Sequence, residues 1–304
     1  MRGSDAQGPS GPLSGRQGPS GPLSGRQGPS GPLSGRQGPS GPLSGRQVEA
    51  LPYAQTNLQL LNQMRQAARS EGDLKLVHNA YEWATGLFSA QFRPSGKTFL
   101  AHLVGTAGIL ARHGARGEAV AAGLAHASYA QGDWGDASGG RPTDERRSAL
   151  KAALGVEVEG LVHSYTQLRW NPETVAGLRA RAASGVAPLT PLEVEVATMR
   201  LANLLEDYLD LGIAYSAKGS KATHADPILD DAMALCGALG LVGLGEELRR
   251  SVDANAQAEL NPNLRHPETG SRTIAPRSQR RRSRLILTEQ AQEARKYVRR
   301  RMGR

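Results

Sequence analysis

Between residues 48 and 264, apolar side chains return every third and fourth position, and no alternating stretch of five or more residues competes as a strand. The first period belongs to a helix face and the second to a half-buried strand, so the pattern predicts an all-α protein. The segments "NLQLLNQMRQAAR" and "LKLVHNAYEWATGLFSA" show the helical spacing. Thr98 to Arg112 and Glu118 to Tyr129 are instead rich in Ala, Leu, Gly and Val on every side. That predicts helices buried on most faces, with small residues allowing close approach. Pro142 and Thr143 followed by acids mark a helix start, Gly155 marks its end, and Thr190-Pro191 opens a long run to Tyr215. The expected fold is a single domain of seven to nine helices over 48–264.

The flanks read differently. Residues 7–46 are four identical copies of QGPSGPLSGR, within an arm spanning 1–47. One leucine per repeat cannot bury enough apolar surface to offset ordering entropy, so the arm is expected to be disordered. A period of ten with two Gly-x-y triplets does not sustain a collagen register. Residues 265–304 carry 13 Lys/Arg against 3 Asp/Glu, and the arm carries 5 against 1. That leaves 19 basic and 24 acidic residues for 48–264, so the +9 of the whole chain resides in its ends. The basic tail suits nucleic acid or an anionic surface, or is simply solvated. Its segment "TEQAQEARKYVRRRM", with acids early and bases late, predicts a short helix. The single cysteine, Cys236, excludes an intrachain disulfide and any cysteine-based metal cluster. No apolar run reaches the length that crosses a bilayer, and a cytoplasmic protein is expected.

Two histidines stand out by position. His102 lies on the first turn of the helix that follows "RPSGKT", and His126 closes "AAGLAH" 24 residues later. If the two helices run antiparallel through "RHGARG", both imidazoles fall at the same end of the pair, where a metal or an anion could bridge them. Core filling is the plainer alternative. Asn203 and Asp207 lie four apart on one face of a largely apolar helix. Tyr129 stands one turn after His126, and Asp133 and Asp136 sit on the Gly-rich loop beyond it. His78, His113, His224 and His266 read as surface residues, and His163 with Tyr165 and Trp170 as a core and rim cluster. Lys97 in "SGK" lacks the strand and glycine spacing of a phosphate loop.

The residues Arg93, Ser95, Gly96, His102 and His126 resemble, in type and spacing, the hydrolase half of the RelA/SpoT alarmone enzymes, members of the HD superfamily of helical metal-dependent phosphohydrolases. "LGVEVEGLVHSYTQL" and "MRLANLLEDYLD" look like two further helices of that family, and the likeness spans roughly 50–215. "AGLAHASYAQGDWG" is also similar to an uncharacterised bacterial group with an AGLxH(S/A)xY signature and a degenerate pair. The resemblance implies an HD-like fold, a pocket formed by Arg93, His102, His126, Tyr129 and Asn203, and a role for Arg93 beside an anion or a purine.

The departures bear on chemistry. The His-Asp pair is His126-Ala127, the expected final aspartate is Asn203, and the acidic pair after the second histidine falls on Ala130 and Gln131. A hard divalent ion needs anionic oxygen ligands. The expectation is therefore a domain that binds a small phosphorylated or nucleotide-like ligand without two-carboxylate metal chemistry, and without a cofactor. The alternative is a phosphohydrolase of altered mechanism holding one Mn, Fe or Zn ion, with ligands drawn from His102, His126, Asp133 and Asp207. A further alternative is a helical scaffold whose basic tail does the binding.

Overall fold

The structure is a computed structural model that describes residues 53–135, 140–184, 187–215, 227–259, 261 and 263. All of them belong to one compact unit, Ala50–Arg304. The decapeptide arm, the tail with its expected helix, Asp136, His224 and His266 lie outside the described residues.

The chain is all-α. Its helices are α1 (Asn57–Gln66), α2 (Glu71–Phe88), α3 (Phe99–Arg112), α4 (Gly117–Ala125), α5 (Ser128–Gln131) and α6 (Asp144–Leu154). They continue with α7 (Val156–Gln167), α8 (Pro172–Ser184), α9 (Pro191–Tyr208), α10 (Leu229–Ala238) and α11 (Val242–Gln257). Capping chemistry sets several starts. Thr56, Ser70 and Thr190 each accept a backbone N–H three residues on, while Gln59, Asp73 and Glu193 reach back to the cap, so two orphan donors are satisfied at once. Thr98 and Thr143 cap α3 and α6 with one bond each.

Helix α3 forms the centre. It is buried from His102 to Ala111 and packs on α1, α2, α4 and α9. The glycines and alanines make that possible. A Cβ on Gly123 of α4 would lie 3.2 Å from the Cα of Ala107 and 2.7 Å from a methyl of Leu110, so the α3–α4 approach depends on a missing side chain. Around this pair, Leu60, Met64, Phe88, Leu150, Leu161 and Met199 close the core from five other helices.

Eleven α-helices occur among the described residues, more than the seven to nine expected, and the differences have local causes. Glu118–Tyr129 is interrupted at Ala127, whose backbone (φ −91°, ψ −1°) ends α4 and starts the short α5. Helix α8 has only Val175 and Leu178 buried, so its sequence carries no apolar stripe to reveal it. The run from Thr190 stops at Tyr208, because Asp210 and Leu211 adopt positive φ and break the helical path.

Candidate functional site

The segment before α3 is a tight turn. Phe92 and Thr98 form an isolated antiparallel bridge, Arg93 N–H donates to the Lys97 carbonyl (2.8 Å), and Gly96 N–H donates to the Arg93 carbonyl (2.9 Å). Gly96 sits at φ +87°, in the left-handed region where a Cβ would be strained. The turn places Arg93 and Lys97 opposite each other, both reaching toward the C-terminal end of α9. Arg93 pairs with Asp207, and Lys97 donates to Glu206 (2.6 Å) and to Asp210 (3.3 Å).

His102 and His126 come together from the start of α3 and the end of α4, with ring centroids 5.4 Å apart and planes at 71°. Both rings are buried. His126 donates its Nδ1–H to the carbonyl of Gly123 (2.7 Å), which fixes its tautomer and leaves Nε2 as an acceptor. His102 Nδ1 bonds Oε2 of Glu206, and Oδ1 of Asp207 stands 3.7 Å away. The His102 Nε2 is buried and has no hydrogen-bond partner. Burial, then the charge of Arg93, holds His102 down to about 3. Burial, then the neighbouring His102, holds His126 well below its usual value. Both rings are neutral at physiological pH. Burial also pushes the Glu206 carboxyl up to about 7, against the pull of Lys97.

A second aromatic layer backs the imidazoles. The centroid of the Tyr165 ring of α7 lies 5.0 Å from that of His126, and the Arg200 guanidinium of α9 lies over the Tyr165 ring, 3.7 Å from Cζ to its centroid. Asn203, one turn after Arg200, donates to Asp207 (3.4 Å) and its side chain also acts on the His102 imidazole.

The residues singled out in the sequence do not all share this place. Arg93, His102, His126, Asn203 and Asp207 do. Tyr129 is turned elsewhere: its hydroxyl donates to Glu159 (3.1 Å), itself held by Arg147, and its ring stacks near Trp134. Asp133 is exposed on its loop and accepts the Gly135 N–H (3.1 Å), a turn-closing bond. His113 is half-buried rather than on the surface, 3.2 Å from the Tyr53 hydroxyl. His163 lines a separate cavity of 430 Å³ with Leu178, Leu192 and Val196. Glu206, Lys97, Tyr165 and Arg200 complete the site without having been expected there. The signal for Glu206 lay in its position, three residues after Asn203 and one helical turn along the face that Leu201, Ala202 and Leu205 bury.

His102, Glu206 and Asp207 offer one nitrogen and two carboxylate oxygens, all within 4.8 Å of one another. One imidazole and two carboxylates suit Mn, Fe or Zn in donor type. The set therefore fits an ion in chemistry, although Lys97 and Arg93 already neutralise its two acids. His126 and Asp133 do not belong to it.

What the fold and the site define is an all-α protein with a buried cluster of two imidazoles framed by paired charges. A family described as a domain of unknown function, DUF6817, matches residues 85–169. No curated protein matches the chain. The matched stretch contains Arg93, His102, His126 and Tyr165 and ends before α9, which supplies Arg200, Asn203, Glu206 and Asp207. No helix among the described residues is long and apolar enough to cross a membrane.

Proposed function

We propose that the pocket around His102 and His126 belongs to a divergent HD-like domain and binds a small phosphorylated or nucleotide-like ligand. The observation that supports this most is the Nε2 of His102, buried with no partner on a ring whose other nitrogen is committed to Glu206. Leaving such an atom unsatisfied costs about 1–3 kcal/mol, and a ligand group that bonds it recovers that cost. The atom is an acceptor if Nδ1 carries the proton and a donor if Glu206 does, so a nucleotide hydroxyl or amino group, or a phosphate oxygen, can meet it. Arg93 and Lys97 line the edge with positive charge, and each is held by a carboxylate on α9.

A panel of nucleoside phosphates and inorganic phosphate, screened by thermal denaturation of the full chain in EDTA, tests this reading. The expected result is a concentration-dependent rise in Tm that His126→Ala removes. A Tm that no member of the panel moves, or a rise that survives His126→Ala, counts against it.

A second reading is favoured by the three donors His102, Glu206 and Asp207. They would hold a divalent ion, which supplies Lewis acidity and a more acidic bound water. The chain's own contribution would be to orient the ligand with Arg93 and to exclude water with the α3–α4 core. Elemental analysis of protein purified without a nickel column separates the two readings. About one equivalent of Mn, Fe or Zn, lost in His102→Ala, favours the phosphohydrolase, and protein free of metal after Mn²⁺ soaking favours the binding domain.

A further inference from the structure

Three cations act on the two imidazoles, and two of them are already matched. Arg93 pairs with Asp207 and Lys97 with Glu206. Arg200, the third, is different: among the described residues it makes no ion pair. Its Nη2 donates to the carbonyls of Tyr165 (2.6 Å) and Leu168 (2.7 Å) at the end of α7, and its Nε is buried without any hydrogen-bond partner. Arg116, Arg147 and Arg181 behave otherwise, since each bonds a carboxylate directly.

A guanidinium that is largely buried and bonded only to neutral groups, two carbonyls and the Tyr165 side chain, carries a charge that no carboxylate pairs with among the described residues. Removing such a charge from water is costly unless an anion compensates. The Tyr165 ring beneath it, 3.7 Å from Cζ to centroid, fixes the plane of the fork, and stacking of this kind suits arginine rather than lysine. The same Tyr165 ring touches His126, so the unspent Nε–H and the imidazole share one wall of the pocket. Arg200, Asn203 and Asp207 also follow one another at i, i+3 and i+7 along α9, which puts them on a single face.

We infer that Arg200 is the residue that receives the anionic, phosphoryl group of the ligand, with Tyr165 as the platform that orients it. The inference rests on the binding function proposed for the pocket and assigns the end of the ligand that Arg200 meets. Arg93 and Lys97, each held by a carboxylate on α9, set the edge of the site, and the phosphoryl group enters on the Arg200 side.

The test uses inorganic phosphate on the full chain. The Arg200 Nε–H resonance, assigned by through-bond correlation to its own backbone, should shift saturably as phosphate is added. Arg200→Gln should weaken the phosphate-dependent rise in Tm by about tenfold or more in apparent affinity, as expected for a lost charge-assisted bond. Helicity by circular dichroism shows whether that variant folds, and the wild-type resonance serves where it does not. An unmoved Nε–H, or undiminished binding in Arg200→Gln while His126→Ala binds weakly, overturns the role of Arg200 and leaves the pocket reading standing. Phosphate binding that His126→Ala also leaves intact overturns both, as would be seen if only the basic tail took up the ion.

Discussion

His102 and Glu206 are 104 positions apart, yet Nδ1 of one bonds Oε2 of the other where each side chain is almost fully buried. The bond ties the start of α3 to the end of α9. It also shares Glu206 between the buried imidazole and the half-buried ammonium of Lys97, so one carboxylate satisfies two polar partners. Glu206→Ala leaves the buried imidazole without its partner and Lys97 with only the exposed Asp210, and should destabilise the fold by about 3 kcal/mol or more. Urea denaturation measures this, and a loss below about 1 kcal/mol would show that water replaces the carboxylate.

The pocket predicts a pH dependence of stability. A buried neutral imidazole takes up a proton only on unfolding, so the contributions of His102, held down to about 3, and of His126 are whole above about 6.5. They are lost as the pH falls below that. Glu206, pushed up to about 7, acts the other way. The fold keeps its proton longer, so its contribution is whole below its ordinary 4.5 and fades between 4.5 and 7. Over that window two rising contributions oppose one falling contribution. Glu206→Gln removes the falling one, and its stability should therefore climb more steeply from pH 5 to 6.5 than that of wild type, by about 1.4 kcal/mol per unit. Equal slopes in chemical denaturation would contradict the assignment.

Gly105 supports the same carboxylate by being small. A Cβ there would lie 2.9 Å from both Cγ and Oε1 of Glu206. Gly105→Ala gains helix propensity but pushes Glu206 off His102, and we expect a net destabilisation of about 1–3 kcal/mol. The ring resonances of His102 should move in the same variant, while those of His113, on the far end of α3, stay in place.

Cys236 is fully buried against Gly245, and burial pushes its thiol up to about 12. The thiolate is the reactive form, so the native protein should resist a disulfide reagent at pH 8 and react promptly in denaturant. Fast stoichiometric labelling under native conditions would mean that α10 and α11 separate readily.

Helix α3 shows how much could be read from the chain itself. Small apolar residues on every side from Thr98 to Arg112, and a histidine on the first turn, together predict a buried helix with a polar group at one end. The 24-residue spacing to His126 allows the two rings to meet if the connection is short. Local chemistry accounts for these features, because caps, periodicity and small-residue content act within a few positions.

The sequence by itself therefore determined the all-α class, the starts of α6 and α9, and the placement of two histidines at helix ends. Only the tertiary structure decided which charges those histidines face. Nothing local distinguishes Glu206 from a solvent-facing acid such as Glu173, or Arg200 from a surface arginine such as Arg179. Their roles arise because the 93–97 turn, the end of α7 and the last turns of α9 are brought to one point by the burial of apolar surface elsewhere. Tyr129 makes the converse case: one helical turn from His126, it is carried to Glu159 by the break at Ala127. Hydrophobic burial acts on whole helices and is blind to the polar residues they carry, so the composition of the pocket follows from the packing of the helices and not from any one segment.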